Sequence, residues 1–386
     1  MIPRSMASHA IQLSTWFPIV SVTGPRQSGK STLVREVFPD YEYVNLENPQ
    51  TRQQALADPV GFIESRPNRL VIDEAQLAPE LFSMIQVASD ETNKTGQYVL
   101  SGSQNFLLLK QITQSLAGRV GMLRLLPLSF SEAKSARANL TTDLFMFRGG
   151  YPRLYDVDMP QDTFFSSYLR TYVERDVQGY LGVRDLSSYR TLLELCAQCA
   201  GSLLNESRLA SDAGVSRESV RSWLSMLESS YIVFRLRPYR ANLRKRLIKT
   251  PKLYFYDTGL LCYLLRIRTL DQLLRSPYLG MVFENLVIEE RMKAHLNAGR
   301  EPDLYFYRDE SKVEVDLIDL TDPDGSLLAE IKSSKTYRPS FSRHLSSVGD
   351  ELGIPAERRF VVERAEGDFE ADGAQVRNAE TWLAMP

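Results

Sequence analysis

The chain has 386 residues, 43% hydrophobic and 24% charged, with a net charge of −2 at pH 7. This excludes disordered, collagen-like and fibrous classes, leaves room for two or three domains, and excludes a uniformly basic nucleic-acid coat, so any polyanion contact must come from a local patch. An odd number of cysteines, three, excludes a disulfide scaffold, and with no apolar run near the roughly 20 residues of a membrane span and no signal-peptide block, a cytoplasmic protein is expected.

Along the first 130 residues, short apolar runs alternate with helical patterns. Ile19–Thr23, Tyr43–Leu46, Leu70–Ile72, Tyr98–Leu100 and Val120–Leu126 read as strands. Ser31–Phe38, Ala78–Asn93 and Asn105–Ala117 read as helices. Continuous apolar strands separated by helices predict a parallel sheet covered on both faces.

The first strand leads into Gly24, Pro25, Arg26, Gln27, Ser28, Gly29, Lys30, Ser31 and Thr32. The spacing is G-x-x-x-x-G-K-[ST]. Its glycines let the backbone wrap round phosphate oxygens, Lys30 neutralises the β- and γ-phosphates, and the Ser31 hydroxyl can hold Mg²⁺. The third strand ends in Asp73-Glu74, which supplies a carboxylate behind the magnesium and a second one to polarise the attacking water. ATP and Mg²⁺ are the expected ligands. Ser103, Gln104 or Asn105, after the fourth strand, is a candidate γ-phosphate sensor or a helix cap. Arg119 reads either as a helix-end cation or as a residue reaching a neighbouring subunit's nucleotide. The second reading implies a homo-oligomer.

The segments 24–32 (GPRQSGKST), 70–76 (LVIDEAQ), 100–105 (LSGSQN), 115–132 (SLAGRVGMLRLLPLSFSE) and 147–152 (FRGGYP) resemble the AAA-type ATPases whose C-terminal part is the domain of unknown function DUF4143. The resemblance implies an α/β fold with an additional-strand P-loop core of the AAA+ kind. It also places Arg119 where such proteins carry an arginine finger.

Beyond the core, residues 131–186 read as a helical lid, within which Arg148 or Arg153 is a candidate second sensor or an ion-pair partner of Glu174 or Asp176. Residues 187–275 read as a winged helix: two short helices joined by a turn at Gly214, then a strand. Arg217 and Arg221 lie on the second helix. From Arg235 to Lys252 there are eight Lys/Arg and no acid, including Arg244, Lys245 and Arg246. That block is an electrostatic footprint for DNA, and Tyr239 within it can stack on a base. Cys196 and Cys199 read as buried small hydrophobes.

In residues 276–386 a helix bearing Glu284 precedes strands bearing Glu314 and Asp316, then Glu330 and Lys332. This resembles the PD-(D/E)xK restriction-endonuclease-like fold. Residues two apart share a strand face, so Glu284, Asp316, Glu330 and Lys332 are expected to meet at a second metal site. Two functions compete. One is an ATPase acting with DNA. The other is a signalling or protein-remodelling switch whose winged helix and inactive nuclease-like domain bind proteins.

Overall fold

The computed structural model describes residues 2–66, 69–102, 112, 115–173, 186–239 and 249–385. Its backbone divides into two units: residues 1–127 with 229–231 and 296–299, and the remainder. Among the described residues no helix is long and apolar enough to cross a membrane.

In the first unit the order is α1 (Ala7–Trp16), β1 (Ile19–Thr23), α2 (Lys30–Val37), β2 (Glu42–Asn45), α3 (Pro49–Ala57), α4 (Pro59–Glu64), β3 (Leu70–Asp73), α5 (Leu81–Thr92), β4 (Tyr98–Gly102) and β5 (Val120–Arg124). The strands form one parallel sheet in the order β2-β3-β4-β1-β5. Every residue of β1, β3 and β4 is buried, as central strands covered on both faces must be. Ile19, Leu70, Ile72 and Leu100 pack with Phe62, Phe82 and Ile85 of α4 and α5. Burying each such side chain contributes about 1.5–3 kcal/mol relative to leaving it exposed. The expected helix 105–117 lies mostly outside the described residues. Within it, Ile112 and Leu116 are buried in this core.

The second unit begins with four short helices, α6 (Phe130–Ala136), α7 (Thr142–Arg148), α8 (Arg153–Asp156) and α9 (Gln161–Tyr168). Then come α10 (Leu186–Gln198), α11 (Glu206–Ala213), α12 (Arg217–Ser229), β6 (Val233–Pro238) and β7 (Lys252–Phe255). Gly214, at φ +67°, ends α11 in the left-handed conformation that turns the chain into α12. Next are α13 (Thr258–Leu264), α14 (Leu270–Arg275), α15 (Leu279–Asn297), β8 (Leu304–Arg308), β9 (Glu314–Asp319) and β10 (Leu327–Lys332). The chain ends with α16 (Arg343–Leu352), β11 (Arg359–Glu363), β12 (Phe369–Ala371), β13 (Ala374–Asn378) and α17 (Ala379–Leu383).

All eight strands join one mixed sheet, ordered β12-β13-β11-β10-β9-β8-β6-β7. β6 pairs antiparallel with β7 and parallel with β8. The hairpin that follows the helix pair is therefore hydrogen-bonded into the sheet of the C-terminal region, although sequence patterning separates the two near residue 275.

Two motifs of this unit meet. Asp257 accepts hydrogen bonds from Leu260 N–H at the start of α13 and from Gly150 N–H, both at 2.7 Å. Gly149 has φ +78°, and a Cβ there would lie 2.4 Å from the Asp257 carboxylate. The GGYP turn thus needs glycine for a close approach as well as for its backbone conformation. Arg148 donates twice to the Leu154 carbonyl, at 3.1 and 2.5 Å, which fastens this turn to α8. Arg153 is exposed. Glu174 and Asp176 lie outside the described residues.

Candidate nucleotide site and a second ionic cluster

The loop between β1 and α2 is shaped by backbone requirements. Gly24 has φ +149°, and a Cβ there would stand 2.1 Å from the Leu125 carbonyl oxygen. Gln27 (φ +61°) and Gly29 (φ +95°) are left-handed. α2 starts at Gly29 with no side-chain cap, so its first N–H groups and the positive end of its dipole are available to an anion. Pro25 and Ser28 are buried, Arg26 and Gly29 half-buried, and Gln27, Ser31 and Thr32 exposed.

Lys30 is buried at 6% exposure. Its ammonium donates to the Gly24 and Pro25 carbonyls at 3.0 and 2.7 Å. Burial lowers it to about 8, against the pull of the Glu74 and Asp73 carboxylates. Arg4 braces the back of the loop, donating to the carbonyls of Ser28 and Leu126 at 2.7 Å each. No local motif marks Arg4.

Asp73 is buried at the end of β3 and accepts from two hydroxyls, Tyr43 on Oδ2 and Ser101 on Oδ1, both at 2.5 Å. Burial and the bond to Asp73 push the Tyr43 phenol up to about 12, so it remains a donor. Ser101 is the register partner of Asp73 across β3 and β4. Ser103, Gln104 and Asn105, the sensor candidates in the sequence, lie outside the described residues. The alignment of β4 with β3 is the signal that could have found Ser101. Glu74 takes a left-handed conformation (φ +55°) and accepts from Gln76 Nε2 at 2.5 Å. A non-glycine residue held there stores on the order of 1 kcal/mol or more of strain, and turns away from the strand just after Asp73. Arg119 makes a paired contact with Asp90, Nε to Oδ1 at 2.6 Å and Nη2 to Oδ2 at 2.9 Å.

In the second unit, Glu284, Asp316, Glu330 and Lys332 do come together, with additional members. Lys332 Nζ is 2.6 Å from Glu330 and 3.4 Å from Asp316. Lys252 Nζ is 2.7 Å from Glu314, 3.2 Å from Glu284 and 3.8 Å from Asp316. The Tyr254 hydroxyl donates to Glu284 at 2.6 Å. One sequence expectation needs correction. Lys252, counted in the basic block, is 3% exposed and belongs to this cluster. Among the described residues no group of three or more His, Cys, Asp or Glu is placed to hold a metal ion, and the ammoniums of Lys252 and Lys332 lie among these carboxylates.

The remaining basic residues are distributed unevenly. Arg217 and Arg221 share one carboxylate oxygen of Glu206, at 3.2 and 2.7 Å. Burial works against the Glu206 charge, but the Arg221 and Arg217 hydrogen bonds outweigh it and keep its carboxyl below the ordinary value. A cavity of about 820 Å³ opens beside them, lined by Arg235, Arg237, Lys249, Tyr239, Tyr256 and Tyr305 among others. A second, of about 590 Å³, shares Arg235, Lys249 and Pro251 with it and adds Arg217 and Arg221. Arg235 is paired with Glu228 at 2.5 Å. Tyr239 packs edge-on against Tyr305 with ring centroids 5.6 Å apart. Arg244, Lys245 and Arg246 lie outside the described residues. Cys196 is buried and Cys199 half-buried, both as free thiols.

A glycine-shaped phosphate loop on a parallel sheet, a buried lysine and an Asp-Glu pair at the next strand end define a P-loop nucleotide-binding core. Residues 17–134 match the family model described as an AAA domain, and residues 140–271 and 279–382 match two domains of unknown function, DUF8612 and DUF4143. Uncharacterized proteins of Mycobacterium tuberculosis and Mycobacterium bovis are each 34% identical over 359 residues, covering 89% of this chain and 78% of theirs. The chain belongs to the same family as these proteins, the AAA-type P-loop ATPases with a C-terminal DUF4143 region. Among solved structures, a Walker-type ATPase of Pyrococcus abyssi is similar at 16% identity and a TM-score of 0.44, over 68% of this chain and 96% of that one.

Proposed function

We propose that this ATPase hydrolyses ATP with Mg²⁺ and couples hydrolysis to a nucleic acid held by its second unit. At the core, the α2 N-terminus and Lys30 bind the phosphates. Ser31 and Asp73 are the residues that would hold Mg²⁺, which supplies charge neutralisation on the β- and γ-phosphates. Their oxygen chemistry suits that hard cation. Glu74 polarises the attacking water, and Gln76 fixes where its carboxylate points. Arg119 completes the site of an adjacent subunit in a homo-oligomer when its pair with Asp90 opens.

The observation that carries the nucleic-acid reading is the pair of adjoining cavities beside α11, α12 and the β6–β7 hairpin. Five basic side chains and three tyrosines line them. Cations answer phosphates, and tyrosine faces stack on unpaired bases. The helix pair with its hairpin has the order of a winged helix. The test is ATP turnover of size-fractionated protein with single-stranded and duplex DNA over a range of salt. Stimulation that fades with salt supports the reading.

The second reading is a protein-binding switch. It is favoured by the pairing of Arg217 and Arg221 with Glu206 and by the lysine-filled cluster. Under that reading turnover is unaffected by DNA at every salt concentration.

A further inference from the structure

The carboxylate cluster already holds two side-chain cations. Four acids, Glu284, Glu314, Asp316 and Glu330, face two ammoniums, Lys252 and Lys332. The central cation is Lys252. Its side chain is 4% exposed, with oxygens of Glu284, Glu314 and Asp316 between 2.7 and 3.8 Å from Nζ. Backbone geometry holds the arrangement. Lys252 and Tyr254 alternate on one face of β7, and both reach Glu284. The Ile331 N–H, from β10, donates to Asp316 Oδ2 at 2.8 Å.

A divalent cation needs carboxylate oxygens converging at about 2.0–2.6 Å on one point. Here the convergence point is an ammonium, carried in from a strand outside the sequence segment that supplies the acids. We propose that Lys252 is the resident cation of this nuclease-like module, standing where a divalent ion would otherwise sit. The wild-type cluster therefore takes no divalent metal, and removing the ammonium creates a site for one. The Glu330 Oε2 atom, buried with no hydrogen-bond partner, is a further ligand oxygen in that variant. In the wild type the lysine fastens β7 to α15 and β9 and makes the module an ionic joint with no metal-dependent cleavage. This inference does not depend on whether the protein binds DNA.

The test uses the full chain without nucleotide, in a Lys30→Ala background so that the P-loop contributes no metal. Mn²⁺ is the probe, counted by electron paramagnetic resonance and followed by the midpoint of thermal unfolding. A ligand that binds only the native state raises that midpoint. The Lys30→Ala protein is expected to bind no Mn²⁺ and to show no shift. Adding Lys252→Met, which keeps the length of the stem, is expected to give one Mn²⁺ per chain and a raised midpoint, both lost on further Asp316→Asn. If the methionine variant does not fold, Lys252→Gln keeps a donor for Glu284 and takes its place. One Mn²⁺ bound by the Lys30→Ala protein and lost with Asp316→Asn overturns the proposal. So does a folded Lys252 variant that takes up no Mn²⁺.

Discussion

Lys30 is held by two carbonyls in a pocket that penalises its charge, so its ammonium is easier to lose than that of a free lysine. Phosphates replacing those carbonyls restore the charge, and nucleotide binding then takes up a proton above about pH 8. The nucleotide is already fully ionised there, its phosphate titrating near about 6. ATP affinity is therefore expected to hold level to about pH 8 and to fall above it, by up to about tenfold per pH unit. Titration calorimetry at pH 7, 8 and 9 reads this directly, and equal affinities at pH 7 and 9 refute it. At Glu74 the expectation concerns rate. Glu74→Gln keeps a group for Gln76 to hold and is expected to bind ATP normally but to lose at least about a hundredfold in turnover. Unchanged turnover removes Glu74 from the role of base.

Within single elements, the GGYP turn and the β10 strand give opposite kinds of test. Gly149→Ala must accommodate both φ +78° and a Cβ driven against Asp257, the residue that caps α13. Gly214→Ala faces a similar φ, +67°, with nothing within 4 Å. Urea unfolding is expected to show a loss of roughly 1 kcal/mol at Gly214, from backbone strain alone, and roughly 2–4 kcal/mol at Gly149. Equal losses mean that the contact with Asp257 carries no weight. Glu330 tests linkage. Its carboxyl keeps its proton to about 8 in the folded chain but releases it near 4.5 when unfolded. Between those values the folded state binds more protons, so this group's contribution is full below about pH 4.5 and is lost as pH rises to about 8. Glu330→Gln is expected to flatten the fall of the thermal midpoint across that window. An unaltered slope shows that Glu330 ionises freely in the native state.

For the whole molecule, Arg119 decides between a monomer and an assembly. Its bond to Asp90 makes it a surface ion pair in the isolated chain, where such pairs contribute little to stability. If it also serves a neighbour's nucleotide, Arg119→Ala protein alone and Glu74→Gln protein alone are both slow, and mixing them restores part of the turnover. Absence of rescue, with Asp90→Ala as active as the parent, leaves Arg119 as a helix-end cation.

Features that the backbone imposes at short range can be read directly along the chain. The P-loop spacing marks Gly24, Gly29, Lys30 and Ser31, because a chain wrapping a phosphate needs glycine and a helix start within eight residues. Asp73 and Glu74 are visible for the same reason, as a strand end with two carboxylates. All five strands of the first sheet are legible from apolar runs, although only the central β1, β3 and β4 are buried along their whole length, the edge strands β2 and β5 being partly exposed. The destinations of several charges on segments distant in sequence follow only from the folded sheets. Lys252 looks like one more member of a basic block until β7 is paired with β6 and carried into the sheet that holds Glu314 and Asp316. Tyr43, Ser101 and Arg4 are ordinary residues until strand register and chain path bring them to Asp73 and the phosphate loop. The common cause is that local motifs follow from backbone geometry over a few residues. A buried charge instead finds its partners only once the sheet has closed, and long-range pairing leaves no periodic trace along the chain.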